Sequence, residues 1–364
     1  MRVDKVAVLG AGNGGITAAA DLTNRGFEVH LYDAAEFSDN LAGIRRNDGI
    51  KLKDASGEIF VPFNKVTNNI ELAIKDAQIV MITAPSFAIE SIAEQLAPAV
   101  SESQVIFLNG AGSLSAIRFV NKARAMGIDK TFRICESNSL TYGTRAFAET
   151  AEVELSLYVK KLFFAAYPSA QTKVLFEVCA QIYDCLVPAH NIWHSTLENG
   201  NPEVHPGPSL LNVGRIDYSD GEFWLYKEGI TEHTVKVLEA VQNERMAIGR
   251  AFGFDLENAV ESRARRGYFN SETENLQYLF NTSEVFTQIK GPAAVNSRYF
   301  TEDISNGLVL WSDLGRAAGV RTPNIDSVIT LGSTILETDF FTTGLTLESL
   351  GLAGLDPGQL IENV

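Results

Sequence analysis

Three glycines near the start of the chain have a spacing that could bind phosphate groups. Gly10, Gly12 and Gly15 form the pattern GxGxxG within LGAGNGG, directly after a short apolar run. Between a strand and a helix, such glycines permit a tight turn, let a pyrophosphate approach the backbone and let the helix pack closely on the strand. The N–H groups that begin the helix then face the phosphates. An ordinary glycine turn explains the loop equally well when it is taken alone, but the pattern predicts a dinucleotide site formed by Gly10, Gly12, Asn13, Gly14 and Gly15.

An aspartate at the end of the second apolar run strengthens this prediction. Asp33 follows EVHLY and lies 18 residues after Gly15, where a carboxylate can accept hydrogen bonds from the adenosine ribose hydroxyls. The same carboxylate would repel the 2′-phosphate of NADP. Residues 34–36 contain no Arg or Lys to neutralise that phosphate, and Arg45 and Arg46 lie further along the chain. A solvated strand end is the alternative, but together with the glycine loop Asp33 predicts NAD as the cofactor and disfavours NADP.

Two later apolar runs end in residues that could line the nicotinamide side of such a site. Pro85 ends QIVMITAP, while Asn109 and Gly110 end QVIFLNG. Ligands bind outside the carboxyl ends of the strands in open α/β sheets, which is where these residues are expected. Ordinary turn chemistry explains each of them equally well when it is considered singly.

A histidine in a proline-rich segment is the first candidate for acid–base chemistry. His205 lies in NPEVHPGPSLLN, between Pro202 and Pro206. We expect a stiff loop, because prolines restrict the backbone and can hold a side chain in place without a helix. A single loop histidine is more often a surface residue, so the segment alone does not establish a role. His190 and His194 have i, i+4 spacing, but without an HExxH pattern or a third ligand we predict a structural role and no metal site.

A charged segment near the end of the chain is the second candidate. Residues 296–309, NSRYFTEDISNGLV, contain Arg298, Glu302 and Asp303. Arginine can bind a carboxylate through two parallel hydrogen bonds. Asp303 could orient a histidine and stabilise its protonated form. The residues leave two alternatives open, a solvated charged turn and an internal ion pair between Arg298 and Asp303.

The elements that must position these residues change character near Pro188. Before it, short apolar runs alternate with helical patterns, which predicts a doubly wound parallel sheet of the Rossmann type. The predicted strands are residues 5–10, 28–33, 78–85, 104–110 and 133–137, with a hairpin at 50–62. Beyond Pro188, apolar helical patterns dominate at residues 231–252, 327–336 and 346–352. We therefore predict an α/β protein with a dinucleotide-binding domain at residues 1–188 and a mainly α-helical substrate and catalytic domain at 189–364.

The composition excludes several classes of protein. The chain has 364 residues, with 30 Lys plus Arg against 45 Asp plus Glu and a formal net charge of −15. Nucleic acids and anionic membranes need a positive surface, so neither is an expected partner. The uncharged stretch at 103–117 is too short for a transmembrane helix, which needs about 20 apolar residues. MRVDKVAVLGAG is predicted as a first strand rather than a signal peptide, and three cysteines without a CxxC pattern favour reduced thiols in a cytoplasmic protein.

Five segments carry a resemblance that covers nearly the whole chain. They are the glycine loop, HPGPSLLN, FWLYKEGIT, NERMAIGRAFG and RYFTEDISNGLV, followed by the terminal LTLESLGLAGL. In this order they resemble the opine dehydrogenases, the family that includes octopine and nopaline dehydrogenases and a bacterial carboxyethyl-norvaline dehydrogenase. The chain departs from the bacterial pattern after Pro85, where Ser86-Phe87-Ala88 stands in place of a segment that often carries a histidine.

The resemblance implies an enzyme that condenses the amine of an amino acid with a 2-oxo acid, such as pyruvate, and reduces the product with NADH. It implies that His205 and Asp303 perform the acid–base chemistry and that Arg298 binds the carboxylate of the oxo acid. The expected partners are therefore an amino acid and a 2-oxo acid, and a homodimer is the assembly that we consider.

Two other functions remain open at this point. A hydroxy-acid dehydrogenase of the glycerol-phosphate or ketopantoate type shares this layout but uses a lysine in its second domain. Neither Lys227 nor Lys290 lies in such a pattern. A non-catalytic NAD-binding protein is the other alternative, and it would bind NADH without oxidising it.

Overall fold

The computed structural model describes residues 1–110, 112–270 and 273–364. These residues form two compact units, Met1–Ser195 and Thr196–Val364. The segment directly after residue 188 packs within the first unit, since the Ala189 N–H donates to the Phe164 carbonyl and the His194 and Phe163 rings lie 4.9 Å apart. The functional domain division after residue 188 stays a prediction.

The strands of the described residues all lie in the first unit. They are β1 (Lys5–Leu9), β2 (Glu28–Tyr32), β3 (Gly49–Asp54), β4 (Gly57–Pro62), β5 (Val66–Thr67), β6 (Ile79–Ile82), β7 (Val105–Leu108), β8 (Arg133–Ser137), β9 (Tyr142–Phe147), β10 (Glu152–Tyr158), β11 (Leu162–Tyr167) and β12 (Leu186–Pro188).

The larger sheet has the strand order β5-β2-β1-β6-β7-β8-β11-β12. Its neighbouring strands are parallel except for β8 and β11, which pair antiparallel. The strand order reverses at β1, so the carboxyl ends of β1 and β6 flank the position where open α/β sheets bind ligands. The predicted Rossmann-type sheet is therefore confirmed.

Burial explains why the strand runs are so uniformly apolar. Every residue of β6 and β7 is buried, as expected for strands that helices cover on both faces of a parallel sheet. The predicted hairpin at 50–62 is also confirmed, because β3 and β4 pair antiparallel. These two strands join β9 and β10 in a second sheet with the order β4-β3-β10-β9.

Helices cover the sheet and make up most of the second unit. The α-helices are α1 (Asn13–Asn24), α2 (Asp39–Asn47), α3 (Ile70–Ile74), α4 (Ile89–Ala99), α5 (Ser115–Ala125), α6 (Thr172–Cys179), α7 (Ile192–Leu197), α8 (Asn201–Val204), α9 (Pro206–Leu210), α10 (Val213–Ser219), α11 (Glu232–Ala251), α12 (Ala259–Arg266), α13 (Leu276–Thr282), α14 (Arg298–Thr301), α15 (Val309–Ala317), α16 (Pro323–Ile335), α17 (Phe340–Thr343) and α18 (Pro357–Glu362). Two π-helical turns, Leu225–Gly229 and Asp303–Leu308, lie in the second unit.

Two of the three predicted helices of the second unit are confirmed, and one is wrong. The helix predicted at 231–252 is α11, which Thr231 caps, and the helix predicted at 327–336 is α16, which starts earlier because Pro323 occupies its first turn. Residues 346–352 form turns instead of a helix. The Thr346 and Ser349 side chains bond to nearby backbone groups, and such local bonds compete with helical ones.

Two further properties bear on the composition argument. Among the described residues, no helix has both the length and the apolar character needed to cross a membrane. Cys135, Cys179 and Cys185 are buried free thiols, and burial raises the pKa of Cys185 to about 12. The thiols therefore pack as small apolar groups.

Candidate active site

The glycine loop forms the turn between β1 and α1. Gly10 has a φ angle of +101°, which residues with a side chain rarely adopt. A Cβ at Gly15 would lie 1.7 Å from the Gly10 carbonyl oxygen, so α1 can start this close to the loop only with glycine at position 15. A Cβ at Gly12 would meet no protein atom within 4 Å. Gly12 therefore faces open space in front of the helix.

The first turn of α1 presents backbone N–H groups at this open space. The helical hydrogen bonds begin with the Ile16 N–H, which donates to the Gly12 carbonyl over 3.0 Å. The N–H groups of residues 13–15 precede that bond and have no acceptor within the helix. They also lie at the positive end of the helix dipole, which favours a bound anion. The turn thus fits a pyrophosphate held by main-chain groups.

Asn13 and Gly14 fix this turn against neighbouring elements. The Asn13 Oδ1 accepts a hydrogen bond from the Ala146 N–H in β9 over 2.9 Å. A Cβ at Gly14 would lie 2.7 Å from Leu140 Cδ1, so glycine permits close packing there. The Asn13 side chain is thus engaged with the protein, and its main chain faces the site.

Asp33 joins the end of β2 to the glycine loop. Its Oδ2 accepts hydrogen bonds from the Ala11 N–H at 3.1 Å and from Asn40 Nδ2 at 2.8 Å, and its Oδ1 accepts one from the Ala34 N–H at 3.0 Å. A carboxylate has about four acceptor positions, so one position on Oδ1 remains for a ribose hydroxyl. Asp33 therefore both supports the loop and retains the capacity that ribose binding requires.

A cavity of about 340 Å³ lies beside the glycine loop in the first unit. This volume falls at the small end of the range for ligand pockets. The carboxyl end of β6 contributes Pro85, which begins a short 3₁₀ turn, Ser86–Ala88. The lining includes Gly10, Gly12, Asp33, Asn40, Pro85 and Phe87.

The charges around this cavity fit NAD better than NADP. The ionisable residues of its lining are Asp33, Glu36 and Tyr32, with no Arg or Lys among the described lining residues. The Arg45 guanidinium bonds to Asn68 Oδ1 at 2.7 Å, and that of Arg46 bonds to the Glu149 carbonyl. A 2′-phosphate would therefore meet acidic groups without a neutralising cation.

Asn109 and Gly110, which were predicted near the nicotinamide, have different surroundings. The Asn109 side chain is buried and donates to Thr141 Oγ1 at 3.0 Å. Gly110 has a φ angle of +88°, and a Cβ there would lie 2.9 Å from backbone atoms of Leu140. Neither residue lines the cavity beside the glycine loop, and both hold the end of β7 against the following chain.

His205 lies at a junction between two short helices, so the predicted stiff loop is wrong. Helix α8 ends at Val204 and α9 begins at Pro206. Pro202 and Pro206 occupy the first turns of these helices, where the missing N–H costs nothing and the fixed φ angle favours the helix. The prolines thus start helices instead of stiffening a loop. His205 is 9% exposed, which also excludes a surface histidine.

The His205 ring has a defined partner at each nitrogen. Its Nδ1 lies 2.7 Å from Asp303 Oδ2, and its Nε2 lies 2.8 Å from the Tyr226 hydroxyl. The Tyr299 ring stacks on the imidazole, with centroids 4.0 Å apart and planes 2° apart. Asp303 and Tyr226 each belong to a π-helical turn, a distortion that often occurs at functional sites.

These contacts set the tautomer of His205. A carboxylate only accepts hydrogen bonds, so the Nδ1–H donates to Asp303 and leaves Nε2 as the acceptor in the neutral ring. Burial raises the pKa of Asp303 above its ordinary value, while the charge and hydrogen bond of His205 act in the opposite direction. An oriented histidine with a buried carboxylate behind it can accept a proton at Nε2 and later donate it.

A buried ion-pair network supports the helix that precedes His205. Glu203 is 1% exposed and accepts hydrogen bonds from Arg245 Nε at 2.9 Å and Arg263 Nη1 at 3.3 Å. These arginines belong to α11 and α12. Removing one partner of such a network leaves an uncompensated buried charge. Glu203 therefore fixes α8, and with it the position of His205.

Arg298 lies close to this pair but is not bonded to it. Its side chain is 61% exposed, and its Nε lies 2.5 Å from Glu302 Oε2, one helical turn later. The alternative of an Arg298–Asp303 ion pair is therefore wrong, although the Arg298 charge acts to lower the pKa of Asp303. A guanidinium that is this exposed, next to a buried histidine, can bind an incoming carboxylate.

Sequence reasoning missed Tyr226 and Tyr299. Both lie in segments that carry the family resemblance, FWLYKEGIT and RYFTEDISNGLV, but no spacing rule links either tyrosine to His205. Lys227 and Lys290, the lysines considered above, are exposed, and Lys290 pairs with Glu222.

The other histidine pair serves packing. His194 Nδ1 accepts a hydrogen bond from the His190 N–H at 3.2 Å, and the two rings lie 5.1 Å apart. Within the described residues, no group of three His, Cys, Asp or Glu side chains could hold a metal ion. The two rings thus lie close to each other, and the structural role of the pair stays a prediction.

Comparisons with known proteins agree with this geometry. Residues 188–336 match the model for the α-helical domain of NAD/NADP octopine/nopaline dehydrogenases. An opine dehydrogenase of Arthrobacter sp. (strain 1C) is 34% identical over 354 residues, covering 96% of this chain and 95% of the relative. The chain belongs to the opine dehydrogenase family. It is thus an NAD-dependent oxidoreductase that acts on CH–NH bonds.

More distant opine dehydrogenase relatives match along the same length. Vitopine synthase of Allorhizobium ampelinum is 27% identical, with 99% of each chain covered. A solved octopine dehydrogenase with NADH and L-arginine has a TM-score of 0.72 at 20% identity, covering 99% of this chain and 98% of that one. The fold of the family is thus retained along the whole chain.

Membership of the opine dehydrogenase family also decides between the alternatives. Residues 6–128 match the model for ketopantoate reductase, but this match lies entirely within the first unit. The residues that carry His205 and Asp303 match the octopine/nopaline dehydrogenase model. NADH-dependent opine synthesis is therefore favoured over a hydroxy-acid dehydrogenase or a non-catalytic NAD-binding protein.

Proposed function

We propose that His205, Asp303 and Arg298 perform the substrate chemistry of this opine dehydrogenase. The reaction joins the amine of an amino acid to a 2-oxo acid and yields an N-(carboxyalkyl) amino acid. The observation that carries the proposal is the buried His205–Asp303 pair, whose Nδ1 and Oδ2 atoms lie 2.7 Å apart within the family-specific helical unit.

His205 acts first as a base and then as an acid. The amine must lose a proton before its nitrogen can attack the carbonyl carbon, and His205 accepts that proton. The resulting carbinolamine then loses water, and His205 returns the proton to the departing hydroxyl. Asp303 orients the ring and stabilises its protonated form, as a buried carboxylate does for other catalytic histidines.

Arg298 positions the oxo acid. Its guanidinium can bind the carboxylate through two parallel hydrogen bonds, and fixing the carboxylate also fixes the adjacent carbonyl. Such positioning converts an encounter into an oriented reaction. Binding requires Arg298 to exchange Glu302 for the substrate, which its 61% exposure supports. With a net charge of −15, attraction of an anionic substrate depends on a local cation of this kind.

The first unit would hold the cofactor. Backbone groups of Gly10, Gly12, Asn13, Gly14 and Gly15 would bind the pyrophosphate, Asp33 the adenosine ribose, and Pro85 would line the cavity beside them. When bound, NADH supplies the hydride that reduces the imine. We assign this cofactor domain to residues 1–188 and the substrate domain to residues 189–364.

The substrate class is proposed from the relatives. Solved octopine dehydrogenases were described with NADH and L-arginine and with NADH and pyruvate. We therefore propose an amino acid and pyruvate, or a similar 2-oxo acid, for this chain. We further propose a cytoplasmic location, in keeping with three buried free thiols, and a homodimer, which the elution volume of the purified protein would test.

A screen of NADH oxidation tests the proposed reaction. Amino acids are crossed with pyruvate, 2-oxoglutarate, oxaloacetate and glyoxylate, and each oxo acid is also assayed without an amine. We expect oxidation only when both substrates are present, with a secondary amine as the product. Oxidation by an oxo acid alone would instead identify a ketone reductase, and NADH binding without oxidation in any mixture would identify a binding protein.

A further inference from the structure

The Tyr299 ring lies flat against the imidazole of His205. The two ring centroids are 4.0 Å apart, and the ring planes differ by 2°. Both nitrogens of the imidazole are engaged in the plane of the ring, Nδ1 by Asp303 and Nε2 by the Tyr226 hydroxyl. Tyr299 therefore contacts a face of the imidazole, which these in-plane hydrogen bonds do not reach.

The position of Tyr299 is set by its own helical segment and by apolar packing. It lies in α14, four residues before Asp303, and side chains with this spacing lie on the same side of a helix. Its side chain also packs against a buried apolar cluster formed by Ile216, Phe223 and Leu225. The segment that supplies Asp303 to one edge of the imidazole thus also supplies the ring that covers its face.

A stacked aromatic ring suits an imidazole that becomes positively charged. His205 is 9% exposed, so little water can solvate the charge that it acquires with a proton. Burying a charge costs free energy unless neighbouring groups stabilise it. The face of an aromatic ring is partially negative and attracts a cation within about 6 Å of its centroid. Because Tyr299 lies within that distance, its ring can stabilise the protonated imidazole more than the neutral one.

The charged groups near the stack act at the edge of the imidazole or offset each other. Asp303 acts at Nδ1. Arg298 and Glu302, which belong to the same segment as Tyr299, pair with each other. The contact with the face of the imidazole comes from the Tyr299 ring, which a phenylalanine would keep and an aliphatic side chain would lack.

We infer that Tyr299 is a positioning residue that holds the His205 imidazole and stabilises it while it carries the proton of the amine. The inference rests on the proposed function, in which His205 accepts that proton and later returns it. An N–H bond of the amine breaks and an N–H bond of the imidazole forms, and Tyr299 neither gains nor loses a proton. Its effect begins only once the bound substrate has lost the proton, so it should act on kcat and leave KM unchanged.

The test compares Tyr299→Phe with Tyr299→Leu in the full-length enzyme, with Tyr218→Leu as the matched control. Phenylalanine keeps the aromatic ring, leucine removes it, and Tyr218 is 88% exposed. We expect kcat to fall about 3–30-fold in Tyr299→Leu and to stay within about twofold of the wild type in the other two variants. KM for both substrates and the Kd for NADH should stay unchanged in all three.

Two further measurements separate this role from a merely structural one. In the His205→Ala background, Tyr299→Leu should lower the residual kcat no further, because Tyr299 acts through the imidazole. Fluorinated phenylalanines at position 299 keep the shape of the ring while they withdraw electron density from its face, so kcat should fall as fluorine atoms are added. This series also decides the question if Tyr299→Leu does not fold.

Several results would overturn the inference. They are a wild-type kcat in Tyr299→Leu, an equal loss of kcat in Tyr299→Phe, an increase in KM alone, an equal loss in the His205→Ala background, and a kcat that does not respond to fluorination. Wild-type turnover in His205→Ala would instead refute the proposed function. An inactive His205→Ala beside an unaffected Tyr299→Leu would refute only the role of the stacked ring.

Discussion

The two candidate sites of this chain differ in the kind of group that forms them, main-chain groups in one and side chains in the other. The candidate cofactor site consists of a turn, a helix start and one carboxylate, so the main chain supplies most of the groups that could bind a dinucleotide. The site around His205 consists of side chains, namely an imidazole, a carboxylate and two phenols. The comparison shows that a main-chain site depends on local backbone shape, whereas a side-chain site depends on how distant segments pack.

The two sites also differ in how far apart in the sequence their bonded residues lie. Asp33 and Ala11, which bond across the cofactor site, are 22 residues apart. His205 and Asp303 are 98 residues apart. The helix that precedes His205 is held by buried ion pairs between Glu203 and arginines of α11 and α12. Disturbing the first site should therefore change NADH binding, and disturbing the second should change turnover.

Asp303→Asn should have the largest effect among the changes that leave the fold intact. An amide can donate to Nδ1, which would hold His205 in the wrong tautomer. We expect kcat to fall about 100–10,000-fold, with no change in the Kd for NADH measured by fluorescence titration. A change in NADH affinity without a loss of kcat would place Asp303 in cofactor binding and contradict the contrast between the sites.

Although Asp303→Asn should lower kcat, it should raise the stability of the folded protein at pH 7. Because burial raises the pKa of Asp303, the folded state holds the proton more tightly than the unfolded state. Stability is then greatest below the ordinary aspartate pKa and declines as pH rises through the raised value. Asp303→Asn lacks this decline, so we expect its melting temperature to exceed that of the wild type at pH 7 and to approach it near pH 3. A melting temperature of Asp303→Asn below that of the wild type at pH 7 would contradict the predicted direction of the change in stability.

Arg298→Ala should have an intermediate effect that is confined to one substrate. Losing a charged, two-bond contact should raise KM for the 2-oxo acid about 10–100-fold, while KM for the amino acid and the Kd for NADH stay unchanged. Arg316→Ala is the matched control, since Arg316 is 60% exposed and pairs with Asp313 in a similar way. An increase in KM for the amino acid alone would assign Arg298 to the other substrate.

Two glycine substitutions should separate binding from folding at the cofactor site, with the smallest effect on chemistry. A Cβ at Gly12 meets no protein atom, whereas one at Gly15 meets the Gly10 carbonyl at 1.7 Å. Gly12→Ala should therefore weaken NADH binding about tenfold, by one lost backbone contact, without lowering the melting temperature. Gly15→Ala should weaken NADH binding and also lower the melting temperature. Equal melting temperatures for the two variants would contradict the described loop.

The sequence anticipated the local geometry of the glycine loop more fully than the surroundings of His205. The glycine spacing and Asp33 act through local geometry, which residue types determine directly. The proline-rich segment was misjudged because Pro202 and Pro206 suit a helix start as well as a loop, and position in the fold decides between them. Residues 346–352 have apolar spacing, but the Thr346 and Ser349 side chains bond to nearby backbone groups and the segment forms turns.

The further residues around His205 had no sequence signal of their own. Tyr226 lies in a π-helical turn, for which no simple periodicity exists, and Tyr299 contacts His205 only because two distant segments pack together. The proposed roles of His205, Asp303 and Arg298 came from the family resemblance. The structure adds the partners that surround them, which no spacing rule could supply.

The most direct test of the central claim is the turnover of His205→Ala beside His233→Ala. His233 is an exposed histidine in the first turn of α11, so it controls for the loss of an imidazole elsewhere in the same unit. With the amino acid and 2-oxo acid found in the screen, we predict that kcat of His205→Ala falls about 100–10,000-fold, while its NADH affinity and the activity of His233→Ala stay at wild-type values. Wild-type turnover in His205→Ala would contradict the assignment of acid–base chemistry to this histidine.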